Sequence, residues 1–141
     1  MANNSKNSVL FICRNNSGRS QMAEGLLKHI YGDKCDVYSA GSDPKRINPL
    51  TIETMAEIGI DISNQTSTHL KEYHGQRFDY VVTLCDDGEC PVFIGGKKYI
   101  YHEFKDPKTY HKDNMEKIDI FRLIREEIKD WIENSFIINV E

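Results

Sequence analysis

The sequence predicts an α/β fold in which helices cover a parallel β-sheet. Short apolar runs alternate with longer segments in which apolar residues recur every three or four positions, the pattern of repeated βαβ units. The 141 residues are enough for one substantial core, and the sequence contains no internal repeat or low-complexity segment. We therefore expect a single domain over residues 1–141.

The first half of the chain contains two predicted strand–helix pairs. Residues 9–13 are predicted to form the first strand, and residues 20–31 a helix that ends at Gly32. A short second strand covers residues 37–40. Pro49 suits a first helical turn and begins a helix that continues to residue 58.

The second half adds two strands and a long amphipathic helix. A helical turn is predicted over residues 68–73, the third strand over 80–84 and the fourth over 98–104. Asp113 and Glu116 have the spacing of a capping pair, so the last helix is expected to begin there. Its buried face is the apolar stripe Ile118, Phe121, Ile124, Ile128, Trp131 and Ile132.

The two ends of the chain differ in character. Residues 1–7 are mostly polar, and we expect them to be flexible. Residues 136–141 are unusually apolar for a terminus. They either pack on the domain or bind a partner, and the sequence leaves both possibilities open.

Composition limits the classes of function. Eighteen Lys and Arg against 22 Asp and Glu give a mildly acidic protein, which argues against nucleic-acid binding and leaves anion binding to a local site. The sequence contains no signal-peptide core and no run of about 18 apolar residues, so we expect a cytoplasmic protein that does not bind membranes. Four cysteines in such a protein favour catalytic or redox roles over a disulfide framework.

The segment Cys13-Arg14-Asn15-Asn16-Ser17-Gly18-Arg19-Ser20 carries the strongest functional signal. It is predicted to be a tight loop between a strand and a helix, which would turn its backbone N–H groups toward one point where an oxyanion can bind. Helix N-termini and nearby cations favour a thiolate, so Cys13 is the candidate nucleophile. Arg19 offers a planar fork for the anion. The alternative is a buried strand-end cysteine with a solvated arginine.

Six further segments extend this loop into a recognisable pattern. They are Gln21-Met22-Ala23-Glu24-Gly25, Ser39-Ala40-Gly41, Gly59-Ile60-Asp61-Ile62-Ser63, Val81-Val82-Thr83-Leu84-Cys85, Cys90-Pro91 and Phe104-Lys105-Asp106-Pro107. In this order they resemble the low-molecular-weight protein tyrosine phosphatase superfamily, and most closely its arsenate reductase branch. The resemblance implies a three-layer, flavodoxin-like α/β/α fold with a four-stranded parallel sheet in the order 2-1-3-4.

This strand order would bring Cys13, Cys85 and Asp106 to one edge of the sheet. All three follow the carboxyl ends of predicted strands, near the point where the strand order reverses. Neighbouring strands lie about 4.8 Å apart, and a disulfide needs a Cα separation of roughly 4.4 to 6.8 Å. Cysteines at adjacent strand ends can therefore reach each other.

The resemblance implies a relay of three thiols. In thioredoxin-coupled arsenate reductases a first cysteine takes arsenate, a second releases arsenite by attacking it, and a third resolves the disulfide; Cys13, Cys85 and Cys90 match these positions. Two thiols that become one disulfide supply the two electrons that the reduction of arsenic(V) needs. Arsenate is then the expected substrate, phosphate a competitor and thioredoxin the expected reductant.

Two other interpretations of Cys85 and Cys90 remain. They are a buried structural cysteine with a loop thiol, or a zinc site completed by His102 or His111. The segment between the two cysteines is shorter than in the relatives it resembles, and the relay would require it to be mobile around Gly88. The acidic residues Asp86, Asp87 and Glu89 would disfavour a thiolate nearby.

The resemblance also gives roles to residues around the nucleophile. Asp106, followed by Pro107, stands at the general-acid position, although the pair alone would suggest an ordinary turn. Ser20 matches a serine that donates to the nucleophilic sulfur. Asn16 either holds the loop open through its side chain or is an ordinary turn residue.

Some relatives bind potassium beside the loop, and Asn16, Glu24 and Ser39 match three of the contributing positions. The fourth, usually aspartate, is Thr68 here. We therefore assign no metal and no cofactor.

The combined expectation is a cytoplasmic, monomeric arsenate reductase. The first rival is a low-molecular-weight phosphatase that hydrolyses phosphate monoesters through a Cys13 phosphoenzyme. The second is a non-enzymatic oxyanion sensor on the same scaffold, which would need neither the acid nor the three cysteines.

Overall fold

The protein is built on a four-stranded parallel sheet with the order β2-β1-β3-β4. The structure is a computed structural model that describes residues 6–86 and 90–140. The parallel sheet and the predicted order 2-1-3-4 are confirmed. The strands are β1 Asn7–Ile12, β2 Cys35–Ala40, β3 Phe78–Thr83 and β4 Gly96–Tyr101.

The strand limits differ slightly from those predicted. Strand β1 begins at Asn7, inside the segment expected to be flexible, whereas residues 1–5 lie outside the described part of the chain. Strand β4 ends at Tyr101, three residues before the predicted end. The chain still follows the sheet beyond it, because the Phe104 N–H donates to the Leu84 carbonyl oxygen at 3.1 Å.

Four α-helices occur in the described residues, together with one 3₁₀ turn and one π-helical turn. Helix α1 follows β1 directly, and α2 is two residues shorter than predicted because a turn that ends at Gly59 (φ +79°) replaces its last residues. The helices are α1 Arg19–Tyr31, α2 Pro49–Ala56, α3 Lys117–Trp131 and α4 Ile137–Val140, with the 3₁₀ turn at Leu70–Tyr73 and the π-helical turn at Ile132–Phe136.

The two faces of the sheet carry layers of different thickness. In β1, alternate side chains point to opposite faces, and all are fully buried from Val9 to Ile12. Val9 and Phe11 pack into the large core with the α-helices, whereas Leu10 and Ile12 pack on the other face. That second layer is thinner: its buried apolar residues come from the 3₁₀ turn at Leu70 and from Phe93.

The predicted capping pair of the last helix is wrong. Helix α3 begins at Lys117 after Glu116, whose side chain makes no capping hydrogen bond, and Asp113 lies in the loop before it. Asn114, which lies between the two residues, has a left-handed backbone (φ +65°), so the chain from Asp113 to Glu116 is not helical. The predicted stripe is buried at Phe121, Ile124, Ile128 and Ile132, whereas Ile118 and Trp131 are only partly buried; Ile120, which was not predicted, is buried as well.

The apolar C-terminal segment packs on the sheet. Phe136 is fully buried, and its ring centroid lies 6.0 Å from that of Phe11 and 5.4 Å from that of Trp131. Ile137 is also buried in the large core. Of the two possibilities left open by the sequence, the structure therefore favours packing within this protein.

Candidate active site

The loop between β1 and α1 differs in how its carbonyl and N–H groups are engaged. Residues outside the loop occupy its carbonyl oxygens. Among the described residues, no acceptor takes the N–H groups of Asn15, Ser17 or Gly18. These donors lie beside the N-terminus of α1, an arrangement that would suit the predicted oxyanion cradle. The hydrogen bonds to the carbonyl oxygens run from Asp43 N to Arg14 O (2.9 Å), Lys45 N to Asn15 O (2.9 Å) and Asn48 N to Ser17 O (3.0 Å).

Gly41 lets the neighbouring strand end approach this loop closely. A Cβ atom at this position would lie 2.4 Å from the Arg14 carbonyl oxygen and 2.7 Å from that of Cys13. Any side chain here would therefore push the loop out of place.

Asn16 fixes the shape of the cradle from beneath. It adopts a left-handed backbone (φ +47°) and is fully buried. Its Nδ2 donates to Ser20 Oγ at 2.7 Å and to Ser39 Oγ at 3.0 Å, and its Oδ1 accepts from the Thr68 N–H at 2.8 Å. Of the two interpretations of Asn16, the structure thus favours the one in which its side chain holds the loop.

Cys13 lies at the base of the cradle, directly after β1. It is 2% exposed, and its Sγ lies 2.8 Å from Ser20 Oγ. Because Asn16 Nδ2 already donates to that hydroxyl oxygen, the Ser20 hydrogen is available to the sulfur when Cys13 is a thiolate.

Arg19 lies in the first turn of α1 and is 5% exposed. Its Nη1 donates to the Phe104 carbonyl oxygen and to Asp86 Oδ1, both at 3.0 Å, and its Nη2 lies 3.7 Å from Asp106 Oδ2. Burial acts to lower the pKa of Arg19, but the negative charges of Cys13, Asp106 and Asp86 outweigh it and raise the pKa. The guanidinium therefore stays charged beside the cradle.

Asp106 faces the same guanidinium from the loop after β4. Its Oδ1 accepts from the Lys108 N–H at 3.0 Å, and its carbonyl oxygen accepts from the Tyr110 N–H at 2.8 Å. Asp106 is thus both an ordinary turn residue and a carboxyl group at the site. It lines a cleft of about 400 Å³, together with Arg14, Asn15, Arg19 and Asp86.

Cys85 and Cys90 lie together beside the cradle. Cys85 is fully buried, whereas Cys90 is partly exposed. Burial raises the pKa of the Cys85 thiol, and a hydrogen bond with Cys90 and the charge of Cys13 raise it further, while Arg19 acts to lower it. The four cysteines, all within the described residues, form no disulfide. The predicted mobility around Gly88 concerns residues 87–89, which lie outside them.

Tyr101 holds this pair from β4 and was missed by sequence analysis. Its hydroxyl donates to the Cys85 carbonyl oxygen at 2.9 Å and lies 4.0 Å from Cys90 Sγ. Sequence analysis also missed the contact of Asp86 with Arg19. The sequence carries no signal for either contact, because both depend on how the segment after β3 crosses the edge of the sheet.

The fourth cysteine, Cys35, is remote from the site. It begins β2 and pairs in register with Asn7, at the end of the sheet opposite to the cradle. Burial raises the pKa of its thiol. This placement leaves Cys35 outside the candidate site.

The described residues hold no group of three His, Cys, Asp or Glu side chains that could bind a metal ion. His102 instead stacks on Trp131, with ring centroids 4.9 Å apart. The zinc interpretation of Cys85 and Cys90 therefore finds no support here. Within residues 6–86 and 90–140, no helix is both long and apolar enough to cross a bilayer.

The residues matched to a potassium site are engaged with one another. Glu24 accepts from Ser39 Oγ and from Lys28 Nζ, both at 2.5 Å. The Asn16 Oδ1 accepts from Thr68 instead. In this arrangement the Glu24 carboxylate is paired with the Lys28 ammonium, four residues further along the same helix.

The described residues form an α/β protein in which a thiol, a guanidinium and backbone N–H groups meet at one end of a parallel sheet, an arrangement that would suit an oxyanion. A family model described as low molecular weight phosphotyrosine protein phosphatase matches residues 8–136. The chain belongs to this family.

The relatives in sequence and structure include arsenate reductases. The arsenate reductase of Halalkalibacterium halodurans is 43% identical over 125 residues, which are 87% of this chain and 90% of that protein. A solved structure of an arsenate reductase in the phosphate binding state superimposes with a TM-score of 0.77 at 32% identity, covering 96% of this chain and 99% of that one. A thioredoxin-dependent arsenate reductase of Corynebacterium glutamicum gives 0.65 at 29% identity, covering 96% and 65%.

Proposed function

We propose that this protein is an arsenate reductase that works through a relay of Cys13, Cys85 and Cys90. The observation that carries the proposal is the grouping of two further thiols beside a nucleophile in an oxyanion cradle. Hydrolysis of a phosphate ester needs neither of them, whereas reduction of arsenate needs two electrons and hence two thiols. The arsenate reductases among its relatives support the same activity.

In the first step Cys13 attacks arsenate held by the cradle and Arg19. A bond forms between sulfur and arsenic(V), and one arsenic–oxygen bond breaks. Asp106 gives a proton to the departing oxygen, which leaves as water. Ser20 stabilises the attacking thiolate, and the N–H groups of the loop hold the remaining oxygens.

In the second step Cys85 attacks the sulfur of Cys13. The sulfur–sulfur bond forms as the sulfur–arsenic bond breaks, and its electron pair stays on arsenic, which leaves as arsenite. The Cys85 thiol must first lose its proton, which burial makes difficult. The positive charge of Arg19 acts against this effect and favours the Cys85 thiolate.

In the third step Cys90 attacks Cys85, forms the Cys85–Cys90 disulfide and releases Cys13 as a thiolate. The hydroxyl of Ser20 and the charge of Arg19 make Cys13 a good leaving group. Cys90 is the more exposed member of the new pair, so an external dithiol would attack there. The Corynebacterium glutamicum relative supports thioredoxin as that reductant.

The reducing cytoplasm is the compartment that supplies such a dithiol, so we assign the protein there. The relay is contained in one chain, which supports a monomer as the working unit. Phosphate is expected to compete with arsenate, because both are tetrahedral oxyanions of similar charge.

Phosphate monoester hydrolysis is the second candidate. Cys13, Arg19 and Asp106 are arranged as a phosphatase would need them, and the chain belongs to a phosphatase family. In that case Cys13 would form a phosphoenzyme and Asp106 would act first as acid and then as base.

The experiment measures arsenite production with thioredoxin, thioredoxin reductase and NADPH, alongside hydrolysis of an aryl phosphate. The wild type is compared with Cys85→Ser and Cys90→Ser, and Cys35→Ser serves as the control for loss of a thiol outside the site. The relay predicts that either relay variant stops arsenite turnover and retains aryl phosphate hydrolysis. Full arsenite turnover in both variants would overturn the relay. Either activity in Cys13→Ala would overturn the assignment of the nucleophile.

A further inference from the structure

Asp86 and the carbonyl group of Phe104 hold the same nitrogen of Arg19. The Asp86 Oδ1 and the Phe104 carbonyl oxygen each lie 3.0 Å from Arg19 Nη1. The two hydrogens of Nη1 lie in the plane of the guanidinium, so two acceptors fix that plane and prevent it from turning. The contact is shielded from water, since the Arg19 side chain is 5% exposed and that of Asp86 21%.

Both acceptors belong to segments that are tied to the sheet. After β3, the Leu84 N–H donates to a carbonyl oxygen of β1 at 2.9 Å, and the Tyr101 hydroxyl donates to the Cys85 carbonyl oxygen at the same distance. Asp86 is the next residue. After β4, the Phe104 N–H donates to the Leu84 carbonyl oxygen at 3.1 Å. The two acceptors are therefore fixed relative to the end of the sheet.

The other two nitrogens of Arg19 remain for an anion. Among the described residues, no acceptor forms a hydrogen bond with Nε, and Nη2 makes an ion pair with Asp106 Oδ2 at the longer distance of 3.7 Å. N–H groups on two nitrogens of one guanidinium form the fork that binds two oxygens of an anion. The contacts at Nη1 thus leave a complete fork and determine its direction, in the cleft that Arg19, Asp86 and Asp106 line together.

We propose that Asp86 is a positioning residue for oxyanion binding: by holding Nη1, it directs the Nε and Nη2 fork of Arg19 toward the cradle. The inference rests on the oxyanion site of the proposed function. The oxygen acceptor of Asp86 serves the site, whereas its negative charge opposes the incoming anion, because two like charges beside one cation repel each other.

Two neutral variants separate the acceptor from the charge. Asp86→Asn and Asp86→Ala both remove the negative charge, but only asparagine keeps an oxygen that can accept from Arg19 Nη1. The difference between these two variants therefore reports positioning, and the difference between the wild type and Asp86→Asn reports charge. Asp43 gives a matched control pair, because it lines the same cleft but makes its ion pair with Lys45, at 3.5 Å.

The first measurement is a calorimetric titration of inorganic phosphate into the full-length wild type, Asp86→Asn, Asp86→Ala, Asp43→Asn and Asp43→Ala. We expect Asp86→Asn to bind phosphate about tenfold more tightly than Asp86→Ala, because only the former keeps a hydrogen bond to the charged guanidinium. The two Asp43 variants should agree within about twofold, because exposed ion pairs have small effects. Equal phosphate affinities of the two Asp86 variants would overturn the inference.

The second measurement follows the guanidinium of Arg19 by NMR, with its signals assigned by their loss in Arg19→Lys. Hydrogen bonds at Nη1 slow rotation about the Cζ–Nη1 bond, so we expect separate signals for the two Nη1 hydrogens in the wild type and Asp86→Asn, and averaged signals in Asp86→Ala. Added phosphate should shift the Nε signal of the wild type more than the Nη1 signal. Averaged Nη1 signals in the wild type, or a larger phosphate shift at Nη1, would contradict the inference even if Asp86→Ala does not fold.

The outcomes separate this inference from the proposed function. A wild type that binds no phosphate would overturn the oxyanion site and, with it, the positioning role of Asp86. A wild type that binds phosphate but has averaged Nη1 signals, or Asp86 variants of equal phosphate affinity, would overturn the positioning role alone and leave the oxyanion site intact.

Discussion

The sulfur of Cys13 lies 2.8 Å from the hydroxyl oxygen of Ser20, and the same oxygen accepts a hydrogen bond from Asn16 Nδ2 at 2.7 Å. The amide donor orients the hydroxyl, so that its own hydrogen can point to the sulfur. Ser20 is therefore a positioned donor to the nucleophile as well as a residue of the first turn of α1.

Ser20→Ala removes this donor without opening a large cavity. We expect kcat/KM for aryl phosphate hydrolysis to fall by about 10- to 100-fold, because one hydrogen bond to a charged group is lost. Steady-state kinetics measure the effect, and Ser42→Ala, at an exposed position in the loop after β2, is the control. Wild-type kinetics in Ser20→Ala would show that the hydroxyl contributes nothing to the nucleophile.

The release of arsenite should speed up with pH because of Cys85. Burial raises the pKa of this thiol, so the reactive thiolate is a minor species at neutral pH and its fraction grows tenfold for each pH unit below the pKa. We expect the single-turnover rate of arsenite release to rise by about tenfold per unit from pH 7 to pH 9. Rapid-quench measurements at three pH values test this, and a flat profile would contradict a protonated Cys85.

Phe136 should be important for stability although it lies close to the end of the chain. Its fully buried ring contacts Phe11 and Trp131, so Phe136→Ala leaves a cavity in the large core. We expect the free energy of unfolding in urea to fall by about 3 to 5 kcal/mol. Ile94→Ala is the control, because Ile94 is 88% exposed and its loss should change stability by less than about 0.5 kcal/mol. Equal losses in the two variants would show that the C-terminal segment does not pack as described.

Glu57 should contribute to the acid sensitivity of the fold. Hydrogen bonds from Arg122, and then from Arg125, lower the pKa of Glu57 to about 2. A carboxylate with a lowered pKa stabilises the fold above its unfolded pKa of about 4.3, and this contribution is lost as the pH falls toward 2. The melting temperature of Glu57→Gln should therefore fall less between pH 5 and pH 2.5 than that of the wild type.

Glu53→Gln is the control for this measurement, because Glu53 is an exposed glutamate of α2, four residues before Glu57, which follows the end of that helix. It should retain the acid sensitivity of the wild type. Identical pH dependence of the melting temperature in Glu57→Gln and the wild type would contradict the role of the ion pairs with Arg122 and Arg125.

The sequence was informative wherever function depends on a local pattern. The loop from Cys13 to Arg19 is continuous in the chain, so its residue types and spacing predict a cradle without knowledge of the rest of the fold. The apolar runs predict the strands for the same reason, since burial on both faces requires them. The edge that gathers Cys85 and Asp106 then follows from the strand order.

Contacts between distant segments could not be predicted in this way. Arg19 and Asp86 are 67 residues apart, and their contact depends on the path of the chain after β3. Asp113 and Glu116 show the opposite failure: their spacing matches a capping pair, but the left-handed backbone at Asn114 places them outside the helix. A spacing rule assumes that the backbone between the two residues is regular.

The most direct test of the relay is one turnover with no added reductant. Reduced protein is mixed with excess arsenate. The amount of arsenite formed per chain is measured, and disulfides are located by peptide mass spectrometry. The account predicts one arsenite per chain with a Cys85–Cys90 disulfide in the wild type, and a Cys13–Cys85 disulfide in Cys90→Ser. Arsenite release from Cys85→Ser at the wild-type rate, or from the wild type without any disulfide, would contradict it.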